Sequence, residues 1–553
     1  SKRTGYLGEA GGPYSNNNGK YGVPPARYMS DYANQPQIKA HLDIQFNENW
    51  RFWGRYTTES SEVDSTNAQK YWIDGKYQTW RQTRYRYFQL ALENNRDISD
   101  NWSLKSTFGL GSRDVREVSG YFGGTFPDDR NNLRNCSQVF SEWTYLARFM
   151  LNYEPKDGDL KAALGYELSY DLIRPAWGTS AREGLRVNDG IISGPSSEAY
   201  AGAGLAYKGG STSTGPAYFV GNGWETFTNS FIGELNYRLT PKTTMILSAR
   251  IDKHSYTNYY TSPRIAFIHE LKKDHYLKFI AQKSVRMNTA DELYMAYQNN
   301  KVNKPETLES LELIYSGKMG EHWFIDTSVF FNRNEAIAWN GTARASTPVG
   351  TLKTIGLEME LKYKKENFEL GINHSIVKQL SFLTADRIET SGISYSDYYA
   401  KSGTVIIGSK GNDLANWANQ STKLYTNIDL FKKKATLHGD IKAYWGFEGC
   451  KDGLDSLARG QANAGKGPSD ADVVSLQKFR EEDVFGILAS ANLSLTYHVN
   501  KSADLTVFLQ NIPVYGSNKR YFYSSGINST YTGNKVGWVE EPMVVGFKYK
   551  IRF

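Results

Sequence analysis

Few residue sets in this chain are spaced for bond-making chemistry. There is no nucleophile elbow, no His-Glu-x-x-His and no phosphate-binding Gly-rich loop ending in Gly-Lys-Ser/Thr. The two cysteines, Cys136 and Cys450, lack metal-type spacing, and whether they pair in a disulfide stays open. Asp452, Asp455, Asp470 and Asp472 lack a Ca²⁺-loop signature and read as a solvated acidic loop. No metal and no cofactor is expected, and the chain does not read as an enzyme. Of the eight histidines, only His254 sits where it would meet a ligand. Haem or metal ligation is one reading; a solvated imidazole at a rim is the plainer one. The remaining chemistry is recognition. Trp177, Tyr200, Tyr207, Tyr218 and Trp224 share one long polar connection; Tyr395, Tyr398, Tyr399 and Trp417 share another. Such side chains are large, rigid and polar at the tip. They would stack on a sugar, a catecholate or a macrocycle, or simply pack the loops together.

The elements that would carry these loops are strands. In the last eleven residues, Met543, Val545, Phe547, Tyr549, Ile551 and Phe553 fall on one face. Val544, Gly546, Lys548, Lys550 and Arg552 fall on the other. Period two is the signature of a strand. Apolar on one side and cationic on the other, such a strand suits a wall between lipid and water.

The composition agrees. Mean hydropathy is negative, and no run approaches the ~18 apolar residues of a membrane helix. A barrel needs apolar residues only at alternate positions. The 38 Tyr, 26 Phe and 13 Trp suit the aromatic girdles of such a wall, and 50 Gly suit many turns. The net charge of +7 is spread without a basic arm, so no nucleic-acid partner is expected.

Period-two segments recur near 37–46, 50–60, 83–94, 101–112, 140–153, 160–172, 227–239, 243–256, 261–271, 275–287, 306–318, 322–335, 352–364, 367–379, 421–431, 435–447, 486–498, 502–512 and 541–553. The expected fold is an all-β transmembrane antiparallel barrel, with about 19 strands in this chain. Short connections such as Thr240-Pro-Lys and Lys272-Lys-Asp alternate with long polar ones at 173–226, 380–420, 448–485 and 513–540. Tight periplasmic turns and long extracellular loops produce that asymmetry. Since bacterial barrels normally hold an even number of strands, about 22 are expected in the intact protein. Residues 1–36 then read as an extracellular segment at a truncated start, and 37–553 as the barrel. The polar opening at Ser1 suits a mature product or a fragment.

The register also predicts which side chains line the lumen. Charge on the lipid face costs ~2–4 kcal/mol at the midplane, so Arg148, Glu234, Arg250, Asp252, Arg286, Glu312, Glu358, Glu360 and Asp429 are assigned inward. An interior holding both signs needs water or a polar protein partner.

The segment Arg286-Met-Asn-Thr-Ala-Asp-Glu-Leu-Tyr294, followed by Asn303-Lys-Pro-Glu-Thr-Leu-Glu-Ser-Leu-Glu-Leu313, resembles TonB-dependent outer-membrane receptors. Ser262-Pro-Arg-Ile-Ala266 and Ile355-Gly-Leu-Glu-Met-Glu-Leu361 add to the resemblance. The terminal strand resembles the signal by which such barrels are recognised for insertion, carried by Phe547, Tyr549, Ile551 and Phe553. Departures exist: Met287-Asn288 stands where the family usually has Ala-Pro, and Lys301-Val-Asn-Lys304 replaces an element typical of haem receptors. The resemblance implies a multi-pass protein of the Gram-negative outer membrane, embedded in lipid and lipopolysaccharide. It implies nutrient uptake driven by TonB through a plug domain that this sequence does not contain. The ligand would be an iron–siderophore-type complex, or a glycan or peptide captured with a surface lipoprotein lid. A plugless docking barrel in a surface complex is the alternative.

Overall fold

The computed structural model describes residues 38–63, 81–119, 136–174, 224–288, 304–340, 345–384, 418–448, 485–515 and 543–551. It also describes shorter pieces at 72–73, 76–77, 186–188, 205–208, 217–220, 293, 409–410, 413–414, 481, 483, 519–523 and 536–540.

Nineteen strands form the wall. They are β1 (Lys39–Gln45), β2 (Trp50–Val63), β3 (Arg81–Ser99), β4 (Trp102–Ser119), β5 (Cys136–Tyr153), β6 (Leu160–Arg174) and β7 (Trp224–Thr240). Next come β8 (Thr243–His254), β9 (Tyr259–Lys272), β10 (His275–Arg286), β11 (Glu306–Met319), β12 (Trp323–Asn340), β13 (Ala345–Lys365) and β14 (Phe368–Thr384). The wall ends with β15 (Gln420–Leu430), β16 (Ala435–Trp445), β17 (Leu488–Asn500), β18 (Ala503–Tyr515) and β19 (Val544–Ile551). Each pairs antiparallel with its sequence neighbours, from Lys39↔Thr57 through Ala503↔Ile551. Among the described residues no ladder joins β1 to β19. No described helix is long and apolar enough to cross a membrane.

Alternation decides the two faces. Leu164, Phe231, Leu313, Val329, Leu424, Val507 and Val545 project from one face and are exposed. Paired strands keep this side: Leu313 lies opposite Val329, and Val507 opposite Phe547. An exposed apolar face of this extent is stable only against lipid. Aromatic pairs mark its two rims. Near the short turns, Trp102 packs on Tyr153 at 4.8 Å and Trp323 on Tyr363 at 5.0 Å. At the far rim Tyr170 stacks on Phe227 at 4.4 Å, with Tyr145 6.1 Å from Tyr170. Amphipathic rings belong at such interfaces.

Several strands outrun the expected segments. β3, β4, β12, β13 and β14 continue for several residues past the predicted ends. Beyond the membrane both faces meet water, so pairing persists while the apolar alternation that reveals it stops. The connection expected at 173–226 holds three short strands, Arg186–Asn188, Leu205–Lys208 and Ala217–Val220, which pair with one another and meet β5 through Val139↔Arg186. The one at 513–540 holds a hairpin, Lys519–Tyr523 with Val536–Glu540. Residues 1–36 and Cys450 lie outside the described residues; Cys136 opens β5.

Candidate functional site on the lumenal wall

The inner face of β5 to β8 carries a connected charge lattice. Glu167 on β6 is bracketed by two arginines. Arg148, its registered partner on β5, donates through Nε at 2.5 Å. Arg250 on β8 reaches across β7 to the other carboxylate oxygen at 2.9 Å. The same guanidinium donates to Ser230 Oγ at 2.8 Å and to Asp252 Oδ1 at 2.7 Å, and Ser230 Oγ donates to Asp252 at 2.5 Å. Asp171, four residues further along β6, accepts from Thr144 at 2.6 Å and from Ser169 at 3.2 Å. Charge-assisted and forked, these bonds fix the side chains as a rigid patterned surface.

A second lattice runs over β13 to β18. Tyr425 donates to Glu360 at 2.8 Å. His438 touches Asn427 at 2.7 Å and Asp440 at 3.2 Å, and Asn492 donates to Asp440 at 3.0 Å. His498 lies 2.8 Å from Asp504 and 3.2 Å from Thr436, which donates to Asp429 at 2.9 Å. Near the short turns Arg51 binds Asp43 at 2.9 Å and Glu93 at 3.3 Å, while the Trp53 indole donates to Glu93 at 2.9 Å. A polar recess of about 390 Å³ opens where Asp326, Ser328, Glu358, Asn373, Lys423 and Lys442 converge.

The residues assigned inward share one face of the wall. Arg148, Glu234, Arg250 and Asp252 lie on one face of β5, β7 and β8, and Glu234 is exposed there. Arg286 pairs with Glu306 at 2.5 Å, Glu312 sits between Ile280 and Phe330, and Glu358, Glu360 and Asp429 fall on the same inner side. Glu167, Ser230, Asp440 and Asp504 were not singled out from sequence. Each occupies an inward position of its strand, so register alone would have found them.

The loop residues fare differently. Tyr207 and Tyr218 are registered partners on neighbouring short strands, and Trp224 opens β7 opposite Ile173. Trp177, Tyr200, Tyr395, Tyr398, Tyr399 and Trp417 lie outside the described residues, as does Phe553. The reading of His254 as a solvated rim residue is corrected. It is 6 % exposed, and its Nδ1 accepts the Tyr256 N–H at 3.1 Å. In the short connection 255–258, Tyr256 meets the imidazole edge-on at 5.6 Å, while the Ser255 N–H continues the β7–β8 ladder onto the Phe227 carbonyl. His374 stacks on Trp445 on the outer face, as its register predicts. Among the described residues no group of acids, histidines and cysteines is placed to hold a metal.

The family model for TonB-dependent receptor-like β-barrels matches residues 31–512. The chain belongs to that family. Membership implies the outer membrane of a Gram-negative bacterium and a relationship to TonB. TonB-dependent receptor barrels share the wall seen here at low sequence identity. The FrpB iron transporter of Neisseria meningitidis aligns over 93% of this chain and 71% of its own, at 10% identity and a TM-score of 0.57. A mutant ferric enterobactin receptor PfeA from Pseudomonas aeruginosa aligns over 92% and 68%, at 13% identity and 0.54. The siderophore receptor PirA of Acinetobacter baumannii aligns over 94% and 70%, at 12% and 0.53. These likenesses establish the fold. No curated protein sequence matches the chain.

Proposed function

We propose that the protein takes up a nutrient across the outer membrane with energy relayed through TonB. The ligand favoured is an iron–siderophore-type complex, because structures of similar wall architecture include ferric-siderophore receptors. The observation that carries the uptake reading is the lumenal lattice. Arg148, Glu167, Arg250 and Asp252 present both signs of charge in fixed geometry. Charges of both signs need water or a polar partner to solvate them, and a folded polar plug seated in the barrel is the partner that the uptake reading supplies. The plug gives TonB its point of contact. Capture falls to the extracellular connections, with Tyr207, Tyr218 and Trp224 in the β6–β7 connection and Tyr395, Tyr398, Tyr399 and Trp417 in the β14–β15 connection. His254 stands at the end of β8. Lipopolysaccharide surrounds the wall, and a surface lipoprotein over the loops is the arrangement expected if the cargo is a glycan or peptide.

The test is accumulation of radiolabelled iron–siderophore complexes in iron-starved cells, comparing the intact gene, its deletion and a strain lacking TonB. Uptake lost in both deletions supports the reading. Equal uptake with and without the gene for every complex tried, together with an empty lumen in a map of the native protein, replaces it with a docking barrel.

A further inference from the structure

The outer face carries charges where the fold asks for lipid contact. Lys283 on β10, Glu309 on β11, Arg333 on β12 and Lys353 on β13 are successive registered partners, and all four take outward positions. The outward side is set by their neighbours: Leu311 and Val329 are exposed two and four residues along. Lys378 on β14 joins them opposite Ile355, itself exposed and outward. Arg333 is tied to Glu309 at 3.0 Å. Lys283, Lys353 and Lys378 have no ion-pair partner among the described residues. The row spans about 15 Å across four strands at the usual strand spacing.

Height settles what the row meets. Lys283 follows His275 by as many residues as separate Tyr145 from Tyr153, and Arg333 follows Trp323 by as many as separate Tyr170 from Leu160. Tyr145 and Tyr170 form the extracellular aromatic rim. The cations therefore stand at the headgroup level of the outer leaflet, where a buried charge penalty does not apply and anions are available. Directly alongside lies an open apolar groove of about 970 Å³, whose lining includes Lys283, Glu309 and Arg333 at one end and Leu164, Leu247 and Ile265 further along. Gly233, Ala249 and Ala281 leave its floor low.

We propose that this face is a specific seat for a phosphorylated glycolipid of the outer leaflet. Its phosphates lie against Lys283, Arg333 and Lys353, and an acyl chain lies in the groove. A cationic cluster next to an apolar trough matches a molecule that is anionic at the head and hydrocarbon below. Glu309 holds the Arg333 guanidinium in the row and limits its charge. The proposal rests on the outer-membrane setting but not on the transported ligand.

The experiment uses the intact protein, purified in mild detergent, stripped of lipid and titrated with lipid A carrying both phosphates, with retention followed by native mass spectrometry. The triple variant K283Q/R333Q/K353Q is expected to lose on the order of a hundredfold in affinity. Glu309→Gln is expected to gain about fivefold. Folding of each variant is checked by heat-modifiable migration, and iron–siderophore uptake is measured in parallel, so a failed transport reading and a failed lipid site are told apart. Unchanged lipid A retention in a folded triple variant overturns the site. So does equal retention of phosphatidylethanolamine or phosphatidylglycerol by the unaltered protein, or weaker retention by Glu309→Gln.

Discussion

Arg250 reaches past an entire strand to bind Glu167, at 2.9 Å, from β8 to β6. The Glu167 side chain is only 10% exposed and holds Arg148 at its other oxygen. Glu167→Gln leaves two guanidinium groups facing each other without a carboxylate. Because both arginines remain partly wetted, the expected loss is about 1–2 kcal/mol rather than the larger cost of a dry ion pair. Arg250→Lys should cost about 1 kcal/mol, since one ammonium cannot hold Glu167, Asp252 and Ser230 together. Urea unfolding of the barrel in lipid vesicles reads both; unchanged midpoints would show the lattice to be ornamental to the wall's stability.

Tyr425 lies flat over Gly371. A Cβ added at that glycine would stand 2.3 Å from the ring, while the hydroxyl reaches Glu360 at 2.8 Å. Gly371→Ala must push the ring aside and should cost about 1–3 kcal/mol. Tyr425→Phe keeps the ring and should cost about 1 kcal/mol. Combining Gly371→Ala with Tyr425→Ala should cost less than the sum of the two single changes, because the clash goes with the ring. Strict additivity in the same unfolding assay would refute the packing argument.

Sidedness itself can be tested with one pair of substitutions. Leu164 is 65% exposed on the outer face of β6. Glu234 on β7 is exposed on the inner face. Leu164→Arg should destabilise folding into bilayers by ~2–4 kcal/mol, and Glu234→Arg by far less. The reverse order would turn the wall inside out.

β19 presents Phe547, Tyr549 and Ile551 outward, with Phe547 79% exposed. Phe547→Asp should lower the assembled fraction in cells several-fold, through the cost of a lipid-facing acid and a weakened terminal signal. Heat-modifiable migration of freshly isolated outer membranes measures that fraction. Normal assembly would remove these residues from the insertion step.

Much of the wall was legible because lipid imposes a binary rule on every second residue. Nineteen segments read from alternation correspond to the nineteen wall strands. Arg148, Arg250 and Asp252 could be placed inward from the same rule. The pairings were not legible: nothing local in Glu167 announces that its partner lies on β8, since that contact depends on three-dimensional register. Tyr207 and Tyr218 illustrate the same limit, standing opposite each other on strands too short to alternate. His254 was misjudged because its burial goes with contacts at the β8–β9 turn, where Tyr256 packs against the imidazole, and periodicity does not encode such contacts. Lys283, Arg333 and Lys353 break the binary rule, and such breaks are where a function beyond the wall becomes visible.

The ladder between β13 and β14 shifts register between Lys353 and Thr354, where Gln379 and Ser381 oppose successive residues and Leu380 has no partner. Below that point, removing one residue from either strand would exchange inside for outside all the way to the next turn. Above it the sheet already absorbs an odd residue, and the strands stand clear of the hydrocarbon. Length variation during descent should therefore be tolerated above the shift and purged below it. The bulge marks the border between a part of the gene free to drift in length and a part that is not.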